Sequence, residues 1–582
     1  MTVLQALNHY YDRMAKRGDA EPPGYSRKSI GVCLWLIPDG TIAKVEDLND
    51  YSGKKPQPRR LSVPQEVIRT SRISSNFLWD KTAYTLGIGR DKDKKSIRFF
   101  KSEHAEFVRS HRRRLSASTD AGLRAFLAFL DLWRPENFEA DRRFTPDMLD
   151  KNIIFGLSGE RLEYLHERPA ARRLIEEPVE AWKTGICLVT GEEQPIERLH
   201  PAIQGVDGAQ SSGARLVSYN ADAFTSYGAD SGANAPTSVQ AAFRYGTALN
   251  RLLHHGSGNR LKIGDTTIAF WADAEGFGEQ SAAAAEMALA MGMEPPDDPS
   301  EANKLRGTLA DIRKGRLPSA FPDLQPSTRF YILGLAPNAA RLAVRFWLVD
   351  TFGNFFERLS RHFEALRIEP EPWTRPPSIN YLLIRTTALQ EKWDNVPPQL
   401  AGETTRAVLS GQPYPRTLLA ALIMRLRAGD TLTGWHAAVI KACINRRSTA
   451  KEMLPVALDQ DSRDQAYQLG RLFAVLVGAQ KEALGKVNAS IADRYYGSAS
   501  ATPARVFGPL LRNARNHISD AQKRNKGWWI ERRLEEIFSH LDPALPRTLS
   551  LEAQGRFAVG YYHERAPRSQ SEAAQQEDGD NK

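Results

Sequence analysis

Positive charge is concentrated in one stretch of the chain, between Lys54 and Arg114. This stretch, the basic segment, holds 17 Lys and Arg against 6 Asp and Glu, a surplus of 11. The full chain of 582 residues has a formal net charge of +10, so the basic segment accounts for the whole excess. Like charges packed this closely repel one another, and such clusters usually persist because a polyanion binds them. The alternative is a solvated basic face beside a strand of the core.

Short polar side chains lie among the cations of the basic segment, in the run TSRISSNFLWD from Thr70 to Asp80. Lys and Arg bind phosphates, whereas hydroxyl and amide groups can reach the edges of bases. Two aromatic residues, Phe77 and Trp79, stand in the same run. The combination favours nucleic acid as the polyanion.

A second unusual stretch runs from Gly205 to Asn234 and is rich in Gly, Ala, Ser and Asn. It contains GAQSSG at Gly208–Gly213 and SYG at Ser226–Gly228. So long a loop inside a compact domain often lines a binding surface. A flexible surface excursion is the alternative.

The cysteines and the apolar runs of the sequence exclude several classes of protein. The three cysteines, Cys33, Cys187 and Cys443, lie far apart, so neither a disulfide framework nor a four-cysteine zinc site is available. A reducing, cytoplasmic setting fits this pattern. No signal peptide is visible, and no run approaches the roughly eighteen apolar residues of a membrane span.

Catalytic motifs are missing from the sequence. No P-loop, His-Glu-x-x-His or Gly-x-Ser-x-Gly pattern occurs. His104 and His111 stand on a cationic helix, where we expect them to hold phosphates rather than to cleave them. The sequence therefore presents binding chemistry without a catalytic set, and no cofactor or metal is expected.

Hydrophobic patterning predicts an α+β protein. Residues 1–370 are expected to form a mixed α/β N-terminal region with loops for DNA binding, and residues 371–568 an all-α C-terminal region. Within the latter, residues 453–568 are expected to form a small helical bundle. Residues 569–582 are polar, which predicts a disordered tail.

Three local patterns predict particular elements. The turn Pro38–Gly40 (PDG) between two strand-like runs predicts a β-hairpin. Helical periodicity continues, with breaks, from Ser96 to Arg173. Arg329–Leu335 is expected to be a strand, followed by one long helix over Ala339–Leu366.

Eight segments carry family-specific strings: Leu4–Tyr11 (LQALNHYY), Tyr51–Pro64 (YSGKKPQPRRLSVP), Arg69–Asp80 (RTSRISSNFLWD), Thr190–Glu192 (TGE), His200–Pro201 (HP), Gln210–Gly213 (QSSG), Ser226–Gly228 (SYG) and Gly470–Leu476 (GRLFAVL). Together they resemble the large subunit of the type I-C CRISPR surveillance complex, Cascade. The resemblance covers nearly the whole chain.

The resemblance implies a non-catalytic subunit. Such a subunit recognises the protospacer-adjacent motif (PAM) in double-stranded DNA, promotes duplex opening and R-loop formation, supports the displaced strand and recruits a helicase-nuclease for antiviral defence. The guide reads the target by base pairing, and the protein checks only the short motif. The implied partners are target DNA, CRISPR RNA, the Cascade backbone and RNA-processing subunits, helical small subunits and the helicase-nuclease. The implied location is the prokaryotic cytoplasm, without a membrane.

The resemblance also suggests site residues, because type I large subunits inspect the motif from the minor groove. The minor groove presents few groups that distinguish one base pair from another, and a short amide side chain can donate to or accept from those groups. Asn76 is therefore the first candidate for base contact. The other base-contact candidates are Thr70, Ser74, Ser75, Gln210, Ser211, Ser212, Asn220 and Asn234. The phosphate-contact candidates are Lys54, Lys55, Arg59, Arg60, Arg69 and Arg72. The candidates for guiding the displaced strand or holding the 5′ handle of the guide RNA are Lys92, Lys94, Lys95, Arg112, Arg113 and Arg114. For each base-contact candidate the alternative is a turn-stabilising role.

Two other functions stay open on the sequence alone. One is a metal-dependent nuclease subunit whose carboxylates follow no recognisable pattern. The other is a scaffold that binds guide RNA without reading the PAM. The family tends to encode a small helical subunit from an internal start in the same gene; Met453 is the first candidate for that start and Met424 the second.

Overall fold

The computed structural model describes residues 1–51, 56–67, 69, 73–91, 96–159, 163–176, 183–219, 221–229, 231–295, 298–313, 321–373, 376–388, 395–485, 487–524 and 526–580. The chain divides into two compact units. The first comprises Met1–Pro201 and Val217–Leu249, and the second comprises Ala202–Leu216 and Asn250–Lys582. The boundary predicted at residue 370 falls inside the second unit, between the helices Phe352–Leu366 and Ile379–Ile384.

The first unit combines short strands with helices. Its strands are β1 (Tyr25–Ile30), β2 (Val32–Leu36), β3 (Ile42–Asp47), β4 (Asn49–Asp50), β5 (Gln57–Pro64), β6 (Trp79–Lys81), β7 (Ile88–Arg90), β8 (Ile97–Phe99), β9 (Asn152–Leu157), β10 (Glu163–Tyr164), β11 (Thr184–Ile186) and β12 (Glu193–Pro195). Its helices are α1 (Val3–Lys16), α2 (Thr82–Thr85), α3 (Lys101–Leu115), α4 (Ala121–Leu132), α5 (Asn137–Ala140), α6 (Pro169–Glu176) and α7 (Val239–Leu252), with 3₁₀ turns at Pro146–Met148, Leu165–Glu167, Asp222–Phe224 and Ser231–Asn234. The strands form a sheet ordered β10-β9-β2-β3 in which β6 also pairs with β9, a sheet ordered β1-β5-β4, and the pairs β7-β8 and β11-β12.

Strand β2 lies at the centre of the core of the first unit. It runs parallel to β9 and antiparallel to β3, and all its residues are buried. Side chains alternate between the two faces of a strand. Val32 and Leu34 therefore enter the hydrophobic cluster that α3 and α4 cover. Cys33 and Trp35 enter a second cluster, which they share with β5.

The predicted hairpin is confirmed, since its turn joins β2 to β3. The Asp39 carboxylate accepts the N–H of Thr41 at 2.8 Å. Gly40 has φ +89°, a conformation that favours glycine. A Cβ at this position would also overlap the backbone nitrogen of Phe129 in α4, so the turn can approach that helix only with glycine.

The second unit packs helices on a six-stranded sheet. Its strands are β13 (Ala202–Ile203), β14 (Ala214–Arg215), β15 (Arg260–Ile263), β16 (Thr266–Ala272), β17 (Arg329–Asn338) and β18 (Arg341–Thr351), in the order β13-β14-β18-β17-β16-β15. Its helices are α8 (Gly278–Met293), α9 (Pro299–Arg313), α10 (Phe352–Leu366), α11 (Ile379–Ile384), α12 (Pro398–Ser410), α13 (Arg416–Arg427), α14 (Gly434–Asn445), α15 (Gln465–Leu484), α16 (Ile491–Ala501), α17 (Pro503–Lys523), α18 (Trp528–Phe538) and α19 (Leu551–Asp580), with a 3₁₀ turn at Ala450–Glu452.

The α+β class is confirmed. Strands and helices alternate through the N-terminal part, and from Ile379 onward the described residues form helices and their connections. One hydrophobic cluster joins Phe270 and Phe330 of the sheet to Phe356 of α10 and Phe473 of α15. The backbone of α19 extends into residues 569–580, the segment for which a disordered tail is predicted. None of the helices in the described ranges is both long enough and apolar enough to cross a membrane.

Two local predictions were wrong in part. The helix expected over Ala339–Leu366 begins only at Phe352, because residues 341–351 form β18. Leu342 and Phe346 are buried on that strand while Val344 is exposed, and cross-strand pairing with β17 outweighs the helical spacing. The helical pattern expected from Ser96 to Arg173 is interrupted by β9, whose run NIIFGL is buried in a sheet as a parallel strand.

Candidate nucleic-acid interface

Strand β5 carries two of the predicted phosphate contacts, Arg59 and Arg60. In the pairing with β1, Arg59 stands opposite Ile30 and Arg60 opposite Ser29. Both arginines are exposed. Because successive side chains of a strand point to opposite faces, the two guanidinium groups leave the sheet on different sides.

The described residues of the connection from β5 to β6, which are 65–67, 69 and 73–78 and are here called the β5–β6 loop, are held on helix α3 by His111. The Nε2 atom of His111 accepts the N–H of Leu78 at 2.8 Å, and its Nδ1 donates to the carbonyl of Phe107 at 2.7 Å. Leu78 has φ +59°, in the left-handed region that is unfavourable for a residue with a Cβ. Burial lowers the pKa of His111 to about 3, so the ring is neutral and Nε2 can accept. The hydrogen bond therefore holds a strained backbone in one conformation.

Asn76, the first candidate for base contact, forms hydrogen bonds inside the β5–β6 loop. Its side chain is 4% exposed, and its Oδ1 accepts the N–H of Val67 at 2.9 Å. The backbone N–H of Asn76 donates to Asp80 Oδ2 at 2.9 Å, and Asp80 is also paired with Arg69. Burial raises the pKa of Asp80, and the charge of Arg69 opposes that rise. In this conformation Asn76 stabilises the turn, and because the residue is 4% exposed its side chain must move outward to contact a base.

Arg69 and Arg114 lie over aromatic rings and support the β5–β6 loop. The guanidinium of Arg69 is 4.0 Å from the centre of the Tyr84 ring, and its Nε donates to the carbonyl of Ser74 at 2.7 Å. The guanidinium of Arg114 is 3.9 Å from the centre of the Phe77 ring and donates to a backbone carbonyl of α6 at 2.6 Å. Burial lowers the pKa of Arg114. Arg69 was predicted to contact phosphate, and Arg114 was predicted to guide the displaced strand or to hold the 5′ handle of the guide RNA. In the structure both side chains make cation–π contacts within the chain.

The β5–β6 loop presents hydroxyl groups and apolar side chains to solvent. Ser74 and Ser75 are half-buried, and Ser75 Oγ lies 2.6 Å from the Oγ of Ser110 in α3. Ile73 is 45% exposed and Val67 43% exposed. Proteins that bind the minor groove use such apolar side chains to insert between base steps. The loop thus has a composition that suits contact with a duplex.

A groove of about 470 Å³ lies on α3 and α4. Its lining residues are His104, Ala105, Val108, Arg109, Arg112, Leu130, Trp133, Arg134 and Pro135. Arg112 is paired with Asp131 and Arg109 with Glu106, while Arg113 beside them is exposed. Arg112 is a predicted site residue, whereas Arg109 and Arg134 were not predicted from the sequence. The spacing of three between Arg109 and Arg112 places both on one face of a helix, and this signal could have identified Arg109.

The structure divides the second predicted loop between the two units. Gln210, Ser211 and Ser212 are exposed in the β13–β14 connection of the second unit. The N–H of Gly213 donates to the Gln210 carbonyl at 2.8 Å and closes a turn. Asn234 belongs to the first unit, and its amide donates to a backbone carbonyl of the same 3₁₀ turn at 3.2 Å. The predicted base contacts thus form one group at Ser74–Asn76 and another at Gln210–Ser212.

Several predicted site residues lie outside the described residues, and these are Lys54, Lys55, Thr70, Arg72, Lys92, Lys94, Lys95 and Asn220. The segment 92–95 connects β7 to β8. On its described flanks, Arg90 donates to the carbonyl of Pro146 at 2.6 Å and Arg98 lies 3.8 Å from Asp91.

The histidines of α3 contact backbone groups within the chain. His111 is buried with both ring nitrogens hydrogen-bonded to the backbone, so the expectation for this residue was wrong. The Nδ1 of His104 lies 2.9 Å from the carbonyl of Tyr84. Within the part of the chain that the structure describes, no group of three or more His, Cys, Asp or Glu could hold a metal ion.

The chain belongs to the Cas_Csd1 family of CRISPR-associated proteins. The sequence profile of that family, described as CRISPR-associated protein (Cas_Csd1), matches residues 7–568. The match covers nearly the whole chain and confirms the resemblance to the large subunit of the type I-C Cascade. No curated protein matches the chain.

Proposed function

We propose that this Cascade subunit recognises the PAM in double-stranded DNA, promotes duplex opening and R-loop formation, and recruits the helicase-nuclease that degrades the target. The observation that carries the proposal is the fixed conformation of the β5–β6 loop in the basic segment. Membership of the Cas_Csd1 family supports the setting of a CRISPR complex. The surplus of 11 positive charges in the basic segment supports a polyanionic ligand.

A loop with a fixed conformation is suited to recognising base pairs from the minor groove. That groove offers few distinguishing groups, so the discrimination depends on holding donors and acceptors in one geometry. A loop that must be ordered on binding loses affinity to conformational entropy. Here His111 holds Leu78 and Asp80 holds the N–H of Asn76 before any ligand binds. Strained backbone that is held in this way is typical of binding sites.

The contacts can be divided by chemistry. We propose that the hydroxyl of Ser74 and the amide of Asn76 contact base edges, with Ser75 holding the loop on α3. Ile73 and Val67 are the exposed apolar side chains beside them and are proposed to insert between base steps, which unstacks the duplex next to the motif. The loop would then couple recognition of the motif to the opening of the strands.

The cations around the loop hold the backbone of the duplex. Arg59 or Arg60 of β5 is proposed to contact phosphate, together with Lys54, Lys55 and Arg72. Such contacts position the duplex without reading its sequence. Arg113 and the segment 92–95 remain the candidates for the displaced strand or the 5′ handle of the guide RNA. Gln210–Ser212 of the second unit remain candidates for base contact.

The experiment that tests the proposal selects DNA with the assembled complex. A pool of duplexes carries one target next to a randomised flank, and the bound fraction is sequenced. We expect enrichment of a short flanking motif, because the protein checks only a few base pairs. Ser74→Ala should flatten that enrichment, with a cost of about 1–3 kcal/mol for the preferred flank. One of the two single changes Arg59→Gln and Arg60→Gln should weaken binding to every flank alike and reduce the salt slope by about one unit, and the other should have little effect.

The controls separate the alternatives. Arg416→Gln, an exposed arginine of the second unit, should change neither the enrichment nor the affinity. Equal binding to all flanks by the wild-type complex would instead support a scaffold that holds guide RNA without reading the PAM. Cleavage of the duplex by the purified subunit with magnesium or manganese would support the nuclease alternative.

A further inference from the structure

Strand β18 of the second unit borders its sheet over most of its length. On its inner side it pairs with β17 from Arg341 to Thr351. On its outer side β14 pairs only at Arg341, and the chain bends at Leu216 and leaves this pairing. Among the described residues, no other strand pairs with the outer side. Residues 342–350 therefore present an open edge, here called the β18 edge, which is about 30 Å long at 3.4 Å per residue.

The outward main-chain groups of the β18 edge follow from the pairing with β17. Phe352, directly after β18, donates its N–H inward to the carbonyl of Thr328 at 2.8 Å. Main-chain groups of successive residues in a strand point to opposite sides, so those of Val349 and Thr351 point outward. The N–H of Thr351 donates to the carboxylate of Asp350 at 2.8 Å. No hydrogen bond joins the outward groups of Val349 to another described residue.

The opposite border of the same sheet is protected. Strand β15 at that border has only four residues, and its Lys262 is exposed. The side chain of Asn380 donates to the carbonyl of Lys262 at 2.8 Å and accepts the N–H of Gly264 at 3.1 Å. A single amide thus satisfies the outward groups of that edge. Short strands, lysines and covering groups are the usual means by which proteins prevent pairing at an open edge.

The β18 edge is long, and the side chains that it exposes most are apolar. Val344 is 48% exposed and Val349 is 41% exposed. The two charged residues between Arg341 and Thr351 are already paired within the second unit, Arg345 with Asp265 and Asp350 with Arg358. A long apolar edge of this kind pairs readily with another chain. Its persistence beside a protected edge in the same sheet indicates a partner.

We infer that the β18 edge binds an extended segment of another protein subunit of the complex as an added strand. The chain belongs to a family of Cascade subunits, so other protein subunits are its neighbours. A row of alternating N–H and C=O groups is matched by the main chain of a second strand, which has the same groups at the same spacing. A nucleic acid backbone has phosphate acceptors but no row of donors for the carbonyls.

The chemistry of the edge also defines the partner segment. The segment is extended, lacks proline at the positions that pair, and places apolar side chains beside Val344 and Val349. Its affinity comes from main-chain hydrogen bonds, and its specificity comes from these side-chain contacts. The inference concerns assembly of the complex and therefore goes beyond the proposed function.

The spacing of cross-links distinguishes a strand from any other partner. Photo-crosslinkers replace Val344 and Val349 in separate full-length chains, and each chain is assembled into the complex and irradiated. The two positions are about 16 Å apart along β18. A partner strand covers this distance in about five residues, whereas a helix needs about eleven. We expect both cross-links on one segment of one neighbouring subunit, at positions about five residues apart.

The affinity for the complex assembled without this subunit is a second measurement. Val344→Lys/Val349→Lys should weaken binding about 10-fold or more, because lysines enclosed in the contact lack partners. Val344→Thr/Val349→Thr keeps the branched shape and the main-chain groups and should retain most of the affinity. The matched control is Phe277→Lys/Met287→Lys, which adds the same charge at exposed apolar positions of the second unit. Thermal unfolding should be that of wild type for all three variants, since the replaced side chains are exposed.

The inference would be overturned by cross-links to nucleic acid, by cross-links between two copies of this chain, or by no cross-link to another subunit. Cross-links to protein positions about eleven residues apart would replace the strand by a helix and would also overturn it. Equal affinities for the Val344→Lys/Val349→Lys and Phe277→Lys/Met287→Lys variants would have the same consequence. Absence of flank enrichment, with the expected cross-links present, would count against the proposed function alone.

Discussion

The Nε2 atom of His111 accepts the backbone N–H of Leu78 at 2.8 Å, which ties helix α3 to the most strained residue of the β5–β6 loop. The bond forms only while the imidazole is neutral, because a protonated ring has no acceptor. Both atoms are buried. The conformation of the loop therefore depends on the protonation of a residue that itself makes no contact with solvent.

This dependence predicts a loss of stability in acid. The folded-state pKa of His111 is lowered to about 3, below the unfolded value near 6.5. The unfolded chain thus binds the proton first, so the contribution of His111 is complete above about pH 6.5 and declines toward pH 3. The slope is about 1.4 kcal/mol per pH unit for one group. Urea unfolding at pH 7.5, 6 and 5 should show a shallower decline for His111→Gln than for wild type. Parallel declines would contradict this role.

The two roles of Asn76 can be separated by a pair of substitutions. Asn76→Asp keeps an oxygen to accept the N–H of Val67 but removes the amide donor, whereas Asn76→Ala removes both. Asn76→Asp also places a carboxylate near Asp80, so its flank preference is interpreted only where hydrogen exchange shows the wild-type loop. If Asn76 reads a base, that variant should lose flank preference by about 1–3 kcal/mol. Measurement of hydrogen exchange at residues 67–80 reports the loop, and duplex selection reports the reading. A full flank preference in Asn76→Asp, with loss only in Asn76→Ala, would limit Asn76 to stabilising the turn.

A buried ionic network holds the C-terminal helices together. Arg471 of α15 is fully buried, is paired with Glu536 of α18, and donates to Glu564 of α19 at 3.0 Å. Arg471→Met removes the buried cation from between Glu536 and Glu564 and leaves Arg533 paired with both carboxylates, which should cost about 3–5 kcal/mol of unfolding free energy. Arg416→Met removes an exposed pair with Glu552 and should cost less than about 1 kcal/mol. Equal midpoints in urea for the two variants would contradict the account of the network.

Helices α15 and α19 cross so closely that side chains are excluded at the contact. A Cβ on Gly470 would overlap the carbonyl oxygen of Phe557, and one on Gly560 would overlap that of Tyr467. Gly470→Ala should therefore destabilise the protein by about 1–3 kcal/mol or more. Gly307→Ala in α9 is the control, because a Cβ there meets no atom within 4 Å. That change should stabilise the helix by up to about 1 kcal/mol. Thermal unfolding compares the two, and an unchanged midpoint for Gly470→Ala would refute the close crossing.

The sequence predicted those parts of the fold that depend on local chemistry. The hairpin at Pro38–Gly40 was predictable because turn residues select their own geometry. The helices after Ile379 follow from helical spacing of apolar residues. Strand β9 was missed because its burial comes from β2, a partner far away in the chain. Strand β18 was missed although it pairs with β17, the strand directly before it. Short apolar runs of this kind do not distinguish a buried strand from a helix.

The candidate site could be predicted only in part, for a related reason. The basic segment could be located from the sequence, because the net charge of a segment depends only on its composition. The support by His111, and the use of Arg69 and Arg114 in cation–π contacts, depend on which residues fold next to each other. Cations alone therefore do not reveal which of them remain available to a ligand.

The most direct test of the account places a photo-crosslinker at position 73, the exposed isoleucine of the β5–β6 loop. The assembled complex is bound to a target duplex with its preferred flank, irradiated, and the modified nucleotides are mapped. The account predicts cross-links to the base pairs that flank the target, and their loss when the flank is scrambled. Cross-links confined to the guide RNA, or to neighbouring protein subunits on both duplexes, would contradict it.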